Sequence, residues 1–251
     1  MSFGNSNKCT GLDTLSATES ALLAHVAKVR LTTSDVWEHA PDLVGQPRVK
    51  VGAAVRELVH KKLLLPGSLY HGRHYFVLSS AAAQLLQIDS SLSGLLSEPV
   101  KHKAYARQQL VCITRPDLAL IGSGRSTYQL SLGVATDGFA VANTGDNSVA
   151  KFAFIRVDTS FASRPSRSAQ TIRNDILRFA KLPKVAARMQ AQCFEYIWIT
   201  MTPRRAEAVK QHFRKYHRVG NSPITIVVMP QLLPLVVSTA IGKEVFIPNK
   251  T

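Results

Sequence analysis

Apolar positions in the first third of the chain follow helical spacing and then switch to short apolar runs between turn residues. Leu22, Leu23 and Val26 are spaced as one face of a helix. Ser16 with Glu19 three residues later matches a capping box ahead of that helix. In chain order the pattern predicts helices over 17–29, 35–40 and 48–62, strands over 63–65 and 75–78, and a helix over 79–88.

The rest of the chain alternates buried-type strands with amphipathic helices. The strongest strand pattern is the run at 151–157, and the clearest helix start is Thr202-Pro203, because proline is well tolerated in the first turn of a helix. The pattern predicts helices over 101–109, 166–182 and 204–216, and a helical extension over 184–192. It predicts strands over 110–113, 118–121, 127–134, 138–142, 151–157, 195–201 and 224–229, an edge strand over 243–247, and a helix or strand over 232–237.

Two domains follow from this order of elements. Helix, short helix, basic helix and hairpin is the order of a winged helix-turn-helix, which predicts such a domain over 16–88. Residues 89–100 are rich in serine with Gly94 and Pro99, which is typical of a linker. Residues 101–251 predict an α/β domain with a mixed central sheet, so the chain is α+β overall. A winged helix used for protein contacts is the alternative for the first domain.

Positive charge is concentrated in two segments. The 251 residues carry 31 Lys and Arg against 16 Asp and Glu, a net charge of +15. Segment 46–74 has six Lys and Arg and one acid (net +5), and segment 160–218 has thirteen and three (net +10). The remainder is therefore neutral. Clustered positive charge attracts polyanions through counterion release, so both segments predict contact with nucleic acid.

Other classes of protein are disfavoured by the same composition. An uncharged apolar run long enough to span a bilayer is missing, and the first residues have no apolar core of a secretory signal, so we expect a cytoplasmic protein with no membrane partner. The three cysteines are far apart and form no C-x-x-C motif: Cys9, Cys112 and Cys193. This spacing supports neither a zinc-binding site nor a disulfide framework. His71 and His74 flank a predicted turn, where solvation or a phosphate contact is the simpler interpretation.

Three segments together carry a family resemblance. The runs RPDLAL (115–120), FAFIRVDTS (152–160) and YIWITMTPRRAEAVKQHF (196–213), with a basic helix before the last, resemble the plasmid replication-relaxation family. That resemblance implies a winged helix followed by a restriction-endonuclease-like domain of the PD-(D/E)xK type. It also connects the chain with a group of plasmid mobilisation relaxases that are built similarly.

The resemblance implies a metal site, but one departure of this chain from the family pattern argues against that site. Asp117 and Asp158 would be catalytic and would hold Mg²⁺ or Mn²⁺ for phosphodiester hydrolysis. The family pattern has a glutamate two residues before the second carboxylate, where this chain has Arg156, which would repel a cation. Asp146 is a further candidate carboxylate, although a turn role is simpler. Tyr196 lies in an apolar strand pattern and is expected to pack in the core, like Trp37 and Trp198.

The function expected from these observations is DNA binding by a protein of a plasmid or another mobile element, in replication or conjugative mobilisation, with a degenerate nuclease-like domain. The alternatives are a metal-dependent nicking endonuclease or relaxase and a transcriptional regulator with an oligomerisation domain. The expected partner is double-stranded DNA, with single-stranded DNA at an origin and other plasmid replication or mobilisation proteins as further candidates. The DNA-binding residues predicted are Arg48, Lys50, Arg56, Lys61, Arg73, Arg167, Arg173, Arg178, Arg204, Arg205 and Lys215.

Overall fold

The chain is a mixed α+β protein, which confirms the predicted class. A computed structural model describes residues 15–70, 72–121, 132, 138–142, 151–160, 163–216 and 224–244. Along the main chain it divides into two compact units after Leu95, inside the segment 89–100. No helix in the described ranges combines the length and apolar character needed to cross a bilayer.

The first unit consists of helices and one β-hairpin. Ser16 caps the first helix as the sequence predicts: its Oγ accepts from the Glu19 N–H, and Glu19 accepts from the Ser16 N–H. Thr32 exchanges two backbone hydrogen bonds of 2.9 Å with Phe76, which ties the hairpin to the segment ahead of the second helix. The elements are α1 (Ala17–Val29), a 3-10 turn (Pro41–Leu43), α2 (Arg48–His60), β1 (Leu64–Ser68), β2 (His74–Leu78), α3 (Ser80–Leu85) and a 3-10 turn (Ser90–Leu92).

One prediction in this unit is wrong, and one strand is longer than predicted. Residues 35–40 form consecutive turns instead of a helix, because the backbone bonds run from Val36 to Thr33 and from His39 to Val36, at three-residue spacing. β1 extends beyond the predicted strand 63–65 and includes Pro66 and Gly67, opposite Phe76 and Tyr75. β1 pairs only with β2 in the described structure, and an edge strand tolerates a proline. A side chain at Gly67 would clash with the Tyr75 ring.

Asp42 is expected to make the stability of the first unit depend on acid pH. His25 Nδ1 lies 3.5 Å from one Asp42 oxygen and Lys28 binds the other, and both lower the pKa of Asp42 to about 2. This pKa is below the ordinary 3.8, so the stabilisation is present above about pH 4 and is lost as pH falls through about 2. Urea unfolding should lose about 1–2 kcal/mol over that range, and Asp42→Asn should remove this loss. An unchanged acid dependence in the variant would contradict the assignment.

The second unit is built on a five-stranded sheet in the order β3-β4-β5-β6-β7. β3, β4 and β5 are antiparallel neighbours, whereas β5, β6 and β7 are parallel. The elements are α4 (Glu98–Gln109), a π-helical turn (Leu110–Thr114), β3 (Leu118–Leu120), β4 (Phe139–Ala142), β5 (Phe152–Val157), α5 (Pro165–Ala180), α6 (Pro183–Gln190), β6 (Phe194–Thr200), α7 (Pro203–Tyr216), β7 (Ile224–Val228) and α8 (Leu232–Glu244).

The strand predicted over 110–113 is wrong, because that run continues α4 as the π-helical turn. Its apolar side chains Leu110, Val111 and Cys112 are buried all the same, and a short apolar run does not by itself distinguish a strand from a buried helical turn. Lys243 and Glu244 belong to α8, so the predicted edge strand does not begin there. Asp146, His71 and all of the predicted strand 127–134 except Leu132 lie outside the described residues.

Aromatic rings form the centre of the second unit. Phe139 and Phe154 lie 5.0 Å apart between ring centres, and Phe179 of α5 lies 4.8 Å from Phe154. Tyr196 and Trp198 belong to the same buried cluster, as their strand pattern predicts. Edge-to-face and tilted arrangements of this kind are the preferred geometries of aromatic pairs. This core fixes α5 against the sheet and so determines where its outer side points.

Candidate nucleic-acid interface

One face of the sheet is covered by helices whose outer sides are cationic. α5, α6 and α7 contribute Ile176, Val185 and Val209 to the same buried cluster as β5 and β6. The opposite sides of these helices therefore face solvent. We define the basic layer as the charged side chains on those outer sides: Arg167, Arg173, Arg178, Lys181, Arg204, Lys210 and Arg214.

The acidic residues of the same segment are mostly inside. Asp175 and Glu195 are each only 7% exposed, whereas Glu207 is exposed on α7. Arg167, Arg173 and Arg204 make no ion pair within the described residues. The surface charge of the layer is therefore more one-sided than the net charge of segment 160–218 indicates.

Asp175 is held by two hydrogen-bond donors and by a further arginine beneath the layer. Tyr196 donates its hydroxyl to Asp175 Oδ2 at 2.8 Å, Arg156 Nη1 lies 3.2 Å from the same oxygen, and Arg178 Nη2 lies 3.6 Å from Oδ1. Burial, together with the Asp175 charge, raises the pKa of Tyr196 well above its ordinary value. A buried, protonated phenol that donates to a carboxylate is a structural group and not a nucleophile.

Asp158 is enclosed by donors at the carboxyl end of β5. Arg205 Nε donates to its Oδ2 at 2.7 Å, and the Ser160 N–H and hydroxyl donate to Oδ1 at 3.1 and 2.9 Å. Arg205 also donates to the Ser163 carbonyl at 2.8 Å and to Ser168 Oγ at 3.0 Å. The Asp158 and Arg205 side chains are only 4% and 12% exposed. The structure therefore places Arg205, predicted to contact phosphate, in an internal network.

Asp117 belongs to a different cluster, ahead of β3. Arg115 grips it with two hydrogen bonds of 2.8 and 2.7 Å, and reaches Glu195 at 3.2 Å with its third nitrogen. Thr225 donates to Glu195 at 2.5 Å. The Arg115 guanidinium holds the pKa of Asp117 below its ordinary value. This cluster links the starts of β3, β6 and β7.

Asp117 and Asp158 lie at opposite edges of the sheet, because Asp117 is at the edge where β5 begins and Asp158 is at the edge where β5 ends. Leu118 pairs with Ala142, and the Ala142 N–H donates to the Lys151 carbonyl at 2.8 Å, so Asp117 is level with the start of β5. Asp158 follows Lys151 by seven residues, about 23 Å at 3.3 Å per residue. Both carboxylates are also occupied by guanidinium groups. The pair therefore does not fit the Mg²⁺ or Mn²⁺ site that the resemblance implies.

The first unit presents a second, smaller cationic surface on α2. Val51, Val55 and Leu58 are buried, which turns the opposite side of the helix outward. On that side Arg48, Lys50 and Arg56 are exposed and make no ion pair with any described residue, and Val49 is 82% exposed. Gly52 and Ala53 lie between them and add little bulk. The exposed side of α2 can therefore approach a flat or grooved polyanion closely.

Other predicted DNA contacts have partners inside the protein. Lys61 Nζ lies 2.6 Å from the buried carboxylate of Glu19, and Arg73 Nη1 lies 3.7 Å from Asp35. Arg178 packs over Phe179 at 4.9 Å in addition to its contact with Asp175. Lys215 is exposed near the end of α7. The structure therefore divides the predicted set into residues presented to solvent and residues that also stabilise the fold.

Comparison of the chain with family models, curated proteins and solved structures gives no match. Sequence reasoning missed the network of Asp175, Arg156 and Tyr196. The available signal was the position of Asp175 on the apolar side of a predicted helix, one residue before Ile176 and three after Ile172.

Proposed function

We propose that this chain is a DNA-binding protein of a plasmid or another mobile element, acting in replication or conjugative mobilisation. One observation carries the proposal: the basic layer, apart from Arg178, and the exposed side of α2 present cations that have no ion-pair partner among the described residues, while Asp175 and Glu195 are buried. A one-sided surface of this kind binds phosphates by releasing counterions. The family resemblance supplies the biological setting of the proposal.

In this proposal the first unit is a winged helix-turn-helix that reads the DNA site. Support comes from the order α1, turn, α2 and hairpin, and from the exposed Arg48, Lys50 and Arg56 on α2. Arginine can bond two acceptors of guanine in the major groove, so exposed α2 cations can distinguish sequences. The basic layer of the second unit contacts phosphates, which position a protein without reading sequence.

The geometry favours a nuclease-like sheet without metal-dependent cleavage. Asp117 and Asp158 lie at opposite sheet edges, and each is paired with an arginine. Supercoiled plasmid incubated with the protein and Mg²⁺ or Mn²⁺ should therefore remain supercoiled on an agarose gel. Nicking that disappears in both Asp117→Ala and Asp158→Ala would instead establish the endonuclease or relaxase alternative, provided that both variants remain folded.

The α2 surface is tested by its effect on sequence preference. Each good bidentate base contact discriminates by about 1–3 kcal/mol. Arg48→Ala, Lys50→Ala and Arg56→Ala together should therefore reduce discrimination between a selected site and random duplex at least tenfold, measured by fluorescence anisotropy. Lys28→Ala, which removes an exposed cation of α1, is the control and should preserve the preference. Unchanged preference in the triple variant would favour the protein-contact alternative for this unit.

A further inference from the structure

A cleft of about 430 Å³ opens at the carboxyl end of β5, next to the basic layer. It is formed entirely within the second unit, by α4, β5 and the residues after it, the first turns of α5, and β6. Parallel strands commonly have ligand sites outside their carboxyl ends. The lining of the cleft includes Lys103, Arg156, Asp158, Arg167 and Trp198.

Trp198 provides a buried hydrogen-bond donor in this cleft. The residue is 3% exposed, and its Nε1–H has no hydrogen-bond partner in the described part of the chain. Indole N–H groups donate only, and an unpaired buried donor is destabilising. Trp198 pairs in register with Arg156 of β5, so the two side chains lie side by side on the same face of the sheet. An acceptor that enters the cleft would satisfy the indole N–H.

Three cations line the same cleft as that donor. The Lys103 and Arg167 side chains are exposed and have no ion-pair partner among the described residues. The Arg156 side chain is 43% exposed and uses one nitrogen on Asp175. Its remaining N–H groups are available to a ligand.

Asp158, the one carboxylate among the described residues of the lining, does not oppose an anion. Arg205 neutralises Asp158 through a 2.7 Å bond, and Ser160 occupies the other Asp158 oxygen. The groups that remain available in the cleft are therefore cationic or donating. Such a set is complementary to a small, acceptor-rich anion, and guanidinium groups match a phosphate well.

We propose that this cleft is a phosphate-binding site, in which Arg156, Arg167 and Lys103 balance the charge of one phosphate group and Trp198 donates its indole N–H to it. The assignment of that phosphate to a DNA strand rests on the proposed function. The site shares Arg167 with the basic layer and differs from the rest of the layer because it adds a buried donor. It holds one phosphate in a fixed position, whereas the other layer side chains contact phosphates along the strand.

Nuclear magnetic resonance of the full chain tests the site directly. The two tryptophans, Trp37 and Trp198, give two indole ¹⁵N–¹H resonances, which Trp198→Phe and Trp37→Phe assign. Inorganic phosphate should shift the Trp198 resonance in a saturable way and leave Trp37 unmoved. Trp198→Phe should weaken phosphate binding about tenfold, the loss expected for one hydrogen bond to a charged group, and Trp37→Phe should not.

Further experiments identify the source of the phosphate and control for misfolding of the variants. Arg167→Gln changes only an exposed side chain and should also weaken phosphate binding about tenfold. Short duplexes with and without 5′-phosphates should shift the Trp198 resonance, and a shift only with the phosphorylated duplex assigns the site to a strand end. The phosphate site is overturned if the duplex binds without shifting the Trp198 resonance and Arg167→Gln binds phosphate like the wild type. The proposal of DNA binding would stand in that case. If inorganic phosphate shifts Trp198 but the chain binds no duplex, DNA as the source is overturned.

Discussion

Replacing Arg173, Arg204, Lys210 and Arg214 together by alanine is expected to weaken binding to duplex DNA by about 10²–10³-fold at physiological salt. The four side chains belong to the basic layer and lie on the solvent sides of α5 and α7. Each phosphate contact contributes on the order of 1 kcal/mol, mostly through counterion release. The loss should be similar for every DNA sequence, because phosphate contacts do not read bases. Fluorescence anisotropy with two unrelated 30-base-pair duplexes measures both features.

Lys151→Ala removes one positive charge outside the basic layer and is the control for the effect of net charge. Lys151 is exposed at the start of β5, close enough to Asp117 to lower the pKa of that carboxyl, at the sheet edge away from Asp158. Compared with Arg204→Ala, it should cause little loss of affinity. Equal losses for Arg204→Ala and Lys151→Ala would indicate a general effect of net charge and would contradict an interface on α5 and α7.

Arg205→Ala is expected to destabilise the second unit by about 3–5 kcal/mol. The substitution leaves Asp158 buried without its main counter-charge, and breaking a buried ion pair from one side has this cost. It also removes the hydrogen bonds that Arg205 donates to Ser163, in the loop before α5, and to Ser168, in α5. Urea unfolding followed by circular dichroism measures the loss. The same reasoning predicts that Asp158→Asn is destabilising, so a loss of any activity in that variant needs a folding control.

The neighbouring Arg204 provides a matched comparison. It is the same residue type on the same helix turn, but it is exposed and has no ion-pair partner in the described ranges. Arg204→Ala should change the free energy of unfolding by less than about 0.5 kcal/mol. Combining Arg205→Ala with Asp158→Asn should cost less than the sum of the two single changes, because the pair is then removed together. Equal stability of the two arginine variants would contradict the internal role of Arg205.

The sequence predicts most of the elements of the second unit because their signals are strong and local. Pro203 marks the start of α7, and the apolar runs of β5 and β6 are found within one residue of their predicted bounds. The errors occur where local signals are ambiguous. Leu110–Thr114 is apolar and short, and whether it continues α4 depends on the packing around it. Residues 35–40 bury Val36, Trp37 and Ala40, but a run of six residues is too short for its local pattern to distinguish a helix from consecutive turns.

The candidate site is less predictable than the elements, because it depends on strand register and on pairing across long sequence distances. Asp117 and Asp158 look like one carboxylate pair along the chain, but two antiparallel pairings place them at opposite sheet edges. The contact between Arg205 and Asp158 spans 47 residues, so charge counting treats both as surface groups. The exposed cations of α5 were predictable, because the apolar positions Ile172 and Ile176 determine which side of the helix faces out.

The salt dependence of DNA binding measures how many phosphates the protein contacts. Several cations of the described surfaces should displace counterions from phosphates, and log K falls with log salt by about 0.9 for each phosphate contacted. Titration of the full chain with duplex DNA between about 50 and 200 mM salt should give a slope of about −4 or steeper, and the fourfold variant of α5 and α7 should be markedly shallower. A nearly flat titration, or the same slope in both proteins, would contradict the account.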